Sequence, residues 1–487
     1  MIQIGSKGSG SATALPGHWG RGGTPTTSFR FPERGGIRIG STDKIDAVKA
    51  FTQPAIDRQV HCDMPEGFAI PGYCLQLEKA LEGIRQGAYL WFGHNKWAWN
   101  KCGLQADSLT EPNLYTHATL VILAAVFADD VGAAFENRCR SEYLSIRQEY
   151  SKLIKIDSPA PTLTVEVTMF TGVNIKRDRT ARTLTISMRT YLNRLASRRK
   201  GQFTLNSTPT PPSKAARDAF DIMKPGTAET AVKRVEYLEM LGEIAWPTAM
   251  AWPDVAYYAS VLGSGMQYPT QQYHDAAIYL MGYMINNASY GITYGGTLRA
   301  PLGMTELPAG FAAARGLYSS GDSSWGKKPL PHGGHLVLRT NAAIMWKAKA
   351  LEVVADSTCK AETAQASQAT KDLIYTRAVL TGIRRPVMGP SFMLGDNAPM
   401  MDLVTKEGTS QRTRYFERAT LLVTFAVMKL IIMTKLVGTK MMIADILTKA
   451  TDRETFDKMR RNIRNMKPTE TLSAKAQRII AALIGAV

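Results

Sequence analysis

The chain has 487 residues, 45% of them hydrophobic, enough for roughly two or three domains with cores of their own. Lysine and arginine outnumber aspartate and glutamate 59 to 41, a formal charge of +18, so a polyanion is the partner class the composition favours. Five cysteines without a C-x-x-C pair argue against a disulfide framework and a structural zinc site; no secretory signal is visible, and the most apolar late stretch, Ala419–Met433, is interrupted by Lys429 and too short to span a bilayer.

Residues 1–40 are rich in Gly, Ser, Thr and Pro, with Arg21, Arg30, Arg34 and Arg38 spaced through them, and predict a disordered basic leader. Order is expected from about Ile45, where IDAVKAF alternates as a strand carrying Asp46 and Lys49. Leu75–Trp99 reads as a helix, because Leu77, Leu81, Ile84, Ala88 and Trp91 recur at helical spacing. Thr119–Phe135 (TLVILAAVFADDVGAAF) predicts a buried hairpin with Asp129 and Asp130 at its tip. Glu136–Ile154 is an amphipathic helix, and MFTGVNI with RTLTIS makes a second hairpin around KRDRTA. That order gives an α+β unit over 41–205.

Asn206–Lys214 (NSTPTPPSK) has the composition of a linker, and Val235–Met284 is a helical pattern broken at Pro247, Pro253 and Pro269. A Pro-rich linker and helical connection are therefore expected over 206–316. A third unit over 317–466 follows: strands at GLYSSGDSSW, HLVLRT and AIMWKAK, a helix over Lys360–Thr381, a strand at SFMLGD, and a closing helix through ILTKATDRETFDKMRRNI. Strands first, then alternating helix and strand, is the order of a mixed α/β layer. Residues 467–487 are left as a tail or terminal helix.

Adjacent carboxylates between core strands are expensive to desolvate unless a cation neutralises them, so Asp129 and Asp130 suggest a Mg²⁺ pair serving phosphate chemistry; an exposed acidic hairpin tip is the plainer alternative. His332 and His335 in HGGH lack further His or Cys to complete a ligand set and read as a turn before a strand. Trp97 and Trp99 flank lysines but are expected to pack rather than stack on bases, and Lys458–Arg464 is equally a solvated face or a grip on nucleic acid.

In order along the chain, IDAVKAFTQPAIDRQVHCDMPEGF, LEKALEGIRQGAYLWF, VFADD, FTGVNIKRDRTARTLTIS, WPDVAYYASVL, WKAKALEVVADSTCKAE, LGDN and ADILTK resemble the reverse transcriptase and ribonuclease H portion of copia-type LTR retrotransposon polyproteins, from about Lys44 to Met466. The resemblance implies a polymerase palm-like domain, a helical connection and an α/β ribonuclease H-like domain. It makes Asp46, Asp129 and Asp130 the polymerase carboxylates, holding two Mg²⁺ or Mn²⁺ ions. Phe51 then matches the aromatic that crowds the sugar 2′ position, and Gln86 and Gly87 the helix against template and incoming base; a core Phe51 and a helix-surface Gln86 are the alternatives. The same resemblance makes Asp322, Glu362, Asp396 and Asp445 the metal-binding carboxylates of the ribonuclease H, each otherwise a solvated acid or a helix cap. It implies an RNA template, a DNA primer, an RNA–DNA hybrid and deoxynucleoside triphosphates as partners, no membrane, and an intracellular protein, cytoplasmic or nuclear.

Departures from the family accompany the match. The fingers segment expected before Asp46 is replaced by the Gly-rich leader, Ala88 and Tyr89 stand for Pro-Arg, Trp252 for the Arg of Arg-Pro-Asp, Phe127 and Ala128 for Tyr-Val, and Tyr415 for a His. An impaired polymerase is expected, and a catalytically inactive, nucleic-acid-binding remnant is the alternative. Either way the +18 charge predicts binding to duplex or hybrid nucleic acid with a steep salt dependence, about 0.9 log units per neutralised phosphate. Affinities measured at low and high salt test this, and equal values contradict it.

Overall fold

The computed structural model describes residues 2–6, 40–107, 110–157, 168–209, 213–326, 330–405 and 417–466. Most of the expected leader and the whole 467–487 tail lie outside them. The chain divides into two compact units, Met1–Phe29 with Gly36–Thr171, and Arg30–Gly35 with Gly172–Val487.

In the first unit the strands are β1 (Ile2–Ser6), β2 (Ser41–Asp46), β3 (His61–Cys62), β4 (Tyr73–Leu77), β5 (Leu104–Asp107), β6 (Glu111–His117), β7 (Ile122–Phe127), β8 (Asp130–Phe135) and β9 (Met169–Phe170). The helices are α1 (Gly87–Lys101) and α2 (Arg140–Leu153). The main sheet has the order β2-β8-β7-β6-β5. β7 and β8 form the expected hairpin, Phe127 pairing with Asp130 across the turn Ala128–Asp129. Its small residues allow close packing: a Cβ on Gly132 would stand 3.1 Å from the Phe170 ring. Helix α2 lies on this core, with Tyr143 stacked on Phe135 at 4.1 Å between centroids and Tyr150 stacked on Trp99 at 4.0 Å. Buried Asp43 on β2 accepts from Tyr143 Oη at 2.7 Å and Arg147 Nε at 2.8 Å, which fixes α2 to the sheet.

Two expectations change here. Ile2–Ser6 is a strand, antiparallel to β4, where an unstructured leader was expected. The helix begins at Gly87, not Leu75: Leu75 and Leu77 alternate within β4, and Gly83 at φ 90 turns the chain before α1 can start.

In the second unit β10 (Val173–Asp178), β11 (Thr183–Ser187) and β12 (Gly291–Gly295) are antiparallel neighbours. Around them lie α3 (Arg189–Arg198), α4 (Lys214–Asp221), α5 (Arg234–Ala251), α6 (Ala256–Gly263) and α7 (Gln271–Asn286). Val173, Leu184 and Ile186 share one core with Tyr237, Ile244 and Tyr257, so the hairpin expected to close the first domain belongs to the second unit and the boundary falls at Thr171 rather than 205. Pro247 does not break α5 as expected. The carbonyl of Glu243, four residues earlier, loses its helical donor to proline and accepts from Tyr191 Oη at 3.1 Å instead.

The remaining elements are β13 (Leu317–Ser324), β14 (His332–Arg339), β15 (Ala342–Ala350), α8 (Thr358–Gly382), β16 (Ser391–Gly395), α9 (Ala398–Thr405), α10 (Glu417–Met428), β17 (Ile432–Leu436) and α11 (Arg453–Arg464). They form a sheet of order β15-β14-β13-β16-β17, antiparallel among the first three and parallel from β13 to β17. Leu336 and Leu338 pack with Tyr257 and the connection helices, whereas Val337 packs with Leu373 of α8 and Val423 of α10. Alternation along one strand thus covers both faces, and the helical connection shares a core with the sheet instead of forming a separate domain at 206–316. The fold is α+β: an antiparallel five-stranded sheet, a helical connection and a mixed five-stranded sheet follow one another along the chain.

The histidines of HGGH lie inside β14, both buried, not in a turn. Of the tryptophans, Trp99 is buried as expected while Trp97 is 45% exposed. Helix α11 is not a solvated basic face along Arg460 and Arg464. Arg464 donates from Nε to Asp254 Oδ1 at 2.9 Å, both residues fully buried, and its guanidinium lies 4.3 Å from the Trp252 ring centroid. Tyr283 Oη donates to Asp254 Oδ2 at 2.9 Å and accepts from Arg460 at 3.1 Å. Among the described residues no helix is long and apolar enough to cross a membrane. Because an unpaired buried charge is the costly state, Arg464→Ala and Asp254→Ala should each destabilise by about 3–5 kcal/mol, and the double variant by clearly less than the sum. Urea unfolding of the full chain measures both.

Two carboxylate clusters as candidate metal sites

The sheet of the second unit gathers acids at one end. Asp322 is near the end of central β13, Asp396 follows the last residue of parallel neighbour β16, and Glu362 lies near the start of α8, whose N-cap Ser357 accepts from Lys360 N at 3.3 Å. Carboxylate oxygens of Asp322, Glu362 and Asp396 all lie within 4.8 Å of one another. Asp445, in a 3₁₀ turn over Ile443–Leu447, is close enough to Asp322 to raise its own pKa.

Neighbouring donors hold this set in place. Thr448 Oγ1 donates to Asp322 Oδ2, Ser323 N donates to Glu362 Oε1 at 3.3 Å, and Lys449 Nζ lies 2.9 Å from Asp445 Oδ2. Burial, then the charge of Asp322, pushes Glu362 up to about 9. The same two causes push Asp445 up to about 7 against the pull of Lys449. Burial opposes the charge on Lys449, but Asp445 and Asp322 hold its pKa above the ordinary value.

Oδ1 of Asp445 is buried with no hydrogen-bond partner. Hard oxygen donors, an unsatisfied buried oxygen and carboxyls that resist ionising together fit Mg²⁺ or Mn²⁺ held by Asp322, Glu362, Asp396 and Asp445. A cavity of about 210 Å³ opens beside them, lined in part by Tyr257, Trp325, His332, Thr448 and Lys449.

In the first unit Asp46 pairs in register with Asp130, and Ala47 N donates to the Asp129 carbonyl at 2.9 Å. Ala128 sits at φ 52, strained for a residue with a Cβ, and its carbonyl accepts from Trp91 Nε1 at 2.7 Å, which ties α1 to the hairpin tip. Burial, then Asp129 and Asp130, raises the pKa of Asp46. Lys44 Nζ is 2.8 Å from Asp130 Oδ1. Among the described residues three oxygens converge within 4.8 Å at the Asp322 set and not here. Phe51 is half-buried against the core, Gln86 is the N-cap of α1 without a side-chain cap bond, and a Cβ on buried Gly87 would meet Ile84 and Leu81 at 3.4 Å. Tyr415 lies outside the described residues.

Thr448 and Lys449 carry no sequence signal of their own, although they stand three and four residues after Asp445 in ADILTK. A buried relay was missed as well: Gln365 Nε2 lies 2.6 Å from His335 Nδ1, His335 Nε2 2.9 Å from Asp372 Oδ2, and Lys347 Nζ 3.0 Å from Asp372 Oδ1. It joins α8, one turn beyond Glu362, to β14. Asp372 is one of many polar residues on a long helix, and no spacing in the sequence marks it.

No family model matches the chain. It is similar to the "Retrovirus-related Pol polyprotein from transposon TNT 1-94" of Nicotiana tabacum, 22% identical over 349 residues covering 69% of this chain and 24% of that protein. It is also similar to the Pol polyprotein from transposon RE1 of Arabidopsis thaliana, 22% identical over 362 residues covering 73% and 22%. A solved foamy viral protease-reverse transcriptase in complex with dsDNA aligns with a TM-score of 0.39 at 13% identity, covering 83% of this chain and 68% of that one. The chain thus spans about a quarter of the length of the curated relatives, 24% of the tobacco protein. The resemblance carried by the motifs holds at this level: the chain is similar to Pol polyproteins of plant copia-type transposons.

A carboxyl whose folded pKa lies above its unfolded value stabilises the fold while neutral, and that contribution is lost as pH rises through the folded value. Without divalent cations, melting temperature should therefore fall with rising pH, through about 7 for Asp445 and about 9 for Glu362. Mn²⁺ should flatten the profile, and Glu362→Gln should remove much of it. Thermal melts in EDTA and in Mn²⁺ from pH 5 to 9 measure this.

Proposed function

We propose that the chain is the reverse transcriptase and ribonuclease H portion of a retrotransposon Pol polyprotein, and that its second unit hydrolyses the RNA strand of an RNA·DNA hybrid. The observation that carries this is the convergence of Asp322, Glu362 and Asp396, with the unsatisfied oxygen of Asp445 beside them. Two bound Mg²⁺ or Mn²⁺ ions would supply activation of water and stabilisation of charge on the phosphodiester. The chain's own residues orient the site: the Thr448 hydroxyl fixes one oxygen of Asp322, the Ser323 amide one oxygen of Glu362, and Lys449 one oxygen of Asp445. Lys449 and Trp325 line the adjoining cavity, offering a phosphate contact and an aromatic face to the strand lying there.

In the first unit Asp46, Asp129 and Asp130 are the proposed polymerase ligands, with Phe51, Gln86 and Gly87 on the substrate side and deoxynucleoside triphosphates, template and primer as partners. A second reading, nucleic-acid binding without polymerisation, is favoured there by one observation. The ion pair of Lys44 with Asp130 neutralises a carboxylate without a metal ion.

Incubating the full chain with a labelled RNA·DNA hybrid and Mn²⁺ should give slow cleavage of the RNA strand. Asp322→Asn or Asp396→Asn should lower the rate at least ~10²-fold, while Asp129→Asn leaves it unchanged and abolishes any primer extension. An intact RNA strand at high concentration of folded protein contradicts the proposal.

A further inference from the structure

Helix α1 carries a row of rings that starts at the aspartate hairpin. Buried Trp91 donates from Nε1 to the carbonyl of Ala128, the residue before Asp129, at 2.7 Å. The His94 imidazole follows at 6.3 Å between centroids, and the Trp97 indole stacks on it at 5.6 Å with 21° between the planes. Steps of three residues keep successive rings in reach of one another on a helix. The row ends in solvent, because Trp97 is 45% exposed. Packing against His94 therefore accounts for one face of the indole and orients the exposed part.

A second exposed ring lies on the same stripe of the helix. Tyr89 is 67% exposed, and a Cβ on Gly93, midway between it and Trp97, would meet nothing within 4 Å. Intervals of four residues return to nearly the same side, so Tyr89 and Trp97 bracket about 12 Å of bare helix surface. Lys96 stands beside Trp97 and Lys101 about one turn beyond it. Helix α1 contains no Asp or Glu, and among the described residues no acid pairs with either lysine.

Exposed rings among unpaired cations suit an occupant that offers flat apolar faces and negative charge together, and the +18 charge of the chain favours the same class. A duplex keeps its base faces inside its own stack, whereas a single strand can present them. We propose that Tyr89 and Trp97 form a base-stacking platform for single-stranded nucleic acid, with Lys96 and Lys101 against its phosphates. The platform rests on nucleic acid being the partner of the chain and adds where a strand lies on the first unit. It involves neither set of carboxylates.

The test is the affinity of the full chain for a labelled oligo(dT) strand and for an abasic strand of the same length, read by fluorescence anisotropy. Trp97→Ala should weaken binding of oligo(dT) about tenfold, Tyr89→Ala should act in the same direction, and Trp97→Phe should cost less than Trp97→Ala. All three should hold the abasic strand as the native chain does, since it has no base to stack. Lys96→Gln should lower the salt slope by about 0.7, while Trp97→Ala leaves the slope unchanged. Both rings are exposed, so the variants keep the fold, which a melting curve checks. A Trp97→Ala chain that binds oligo(dT) as tightly as the native chain, or that loses as much affinity for the abasic strand, overturns the platform and leaves the nucleic-acid reading in place. So does a native chain that binds an RNA·DNA hybrid but not oligo(dT). A native chain that binds neither overturns both.

Discussion

Like charges cannot be buried together without something to neutralise them, and the second unit is arranged around that constraint. Its central strand ends where Asp322, Glu362 and Asp396 meet, and no amount of apolar packing offsets three ionised carboxylates so close together. Proton uptake by Glu362 is one resolution and a divalent cation is the other. The elements nearest the acids supply single, directed donors, Ser323 to Glu362, Thr448 to Asp322 and Lys449 to the neighbouring Asp445, which orient these three carboxyls.

Those donors are only as well placed as the segment that bears them. Thr448 and Lys449 lie between the 3₁₀ turn and α11, and this short stretch is held on both sides. Ala450 N donates to Asp221 Oδ1 at 3.0 Å, and Asp221 also accepts from Tyr257 Oη at 2.7 Å, both on elements of the helical connection. Further on, Arg464 is bonded to Asp254 in the same helical layer. The connection is thus part of the support for the carboxylate site, which explains physically why it shares a core with the sheet. Burial on Tyr257, Tyr258 and Tyr283 contributes the apolar area, and the Asp254–Arg464 pair sets the register of α11 against it.

Most of this architecture was legible in the sequence wherever a side-chain period decided it. The aspartate hairpin, strands β13 to β16 and helix α8 follow from alternation and helical spacing, and the acids at their ends follow from family motifs. What was not legible depended on partners distant in the chain. Leu77, Leu81 and Ile84 fit a helical template by chance, and only pairing with β1 and β3 makes the preceding segment a strand. Pro247 reads as a break because the rescue of the Glu243 carbonyl comes from Tyr191, on another helix. Arg460 and Arg464 look like a basic face because their acid and aromatic partners, Asp254, Tyr283 and Trp252, are far earlier in the chain. Domain boundaries fail for the same reason: the hairpin at Val173–Ser187 has linker-like Pro-rich sequence after it, yet its apolar residues are claimed by the helices beyond.

Net charge survives these internal pairings in a way that bears on nucleic-acid binding. Arg147 is buried with Asp43, Arg464 with Asp254, and Arg460 lies against Asp457, so each pair removes one base and one acid from the solvent-facing total. The excess of bases over acids, 59 against 41, is therefore not consumed by the core. Protonation of Glu362, or a divalent cation bound among the carboxylates, moves the balance further toward positive. Arg339 is different, since it is buried and no acid among the described residues is paired with it. The polyanion preference read from composition is thus carried by bases outside the buried pairs, with the carboxylate site the local exception, where a phosphodiester meets like charge unless metal ions lie between.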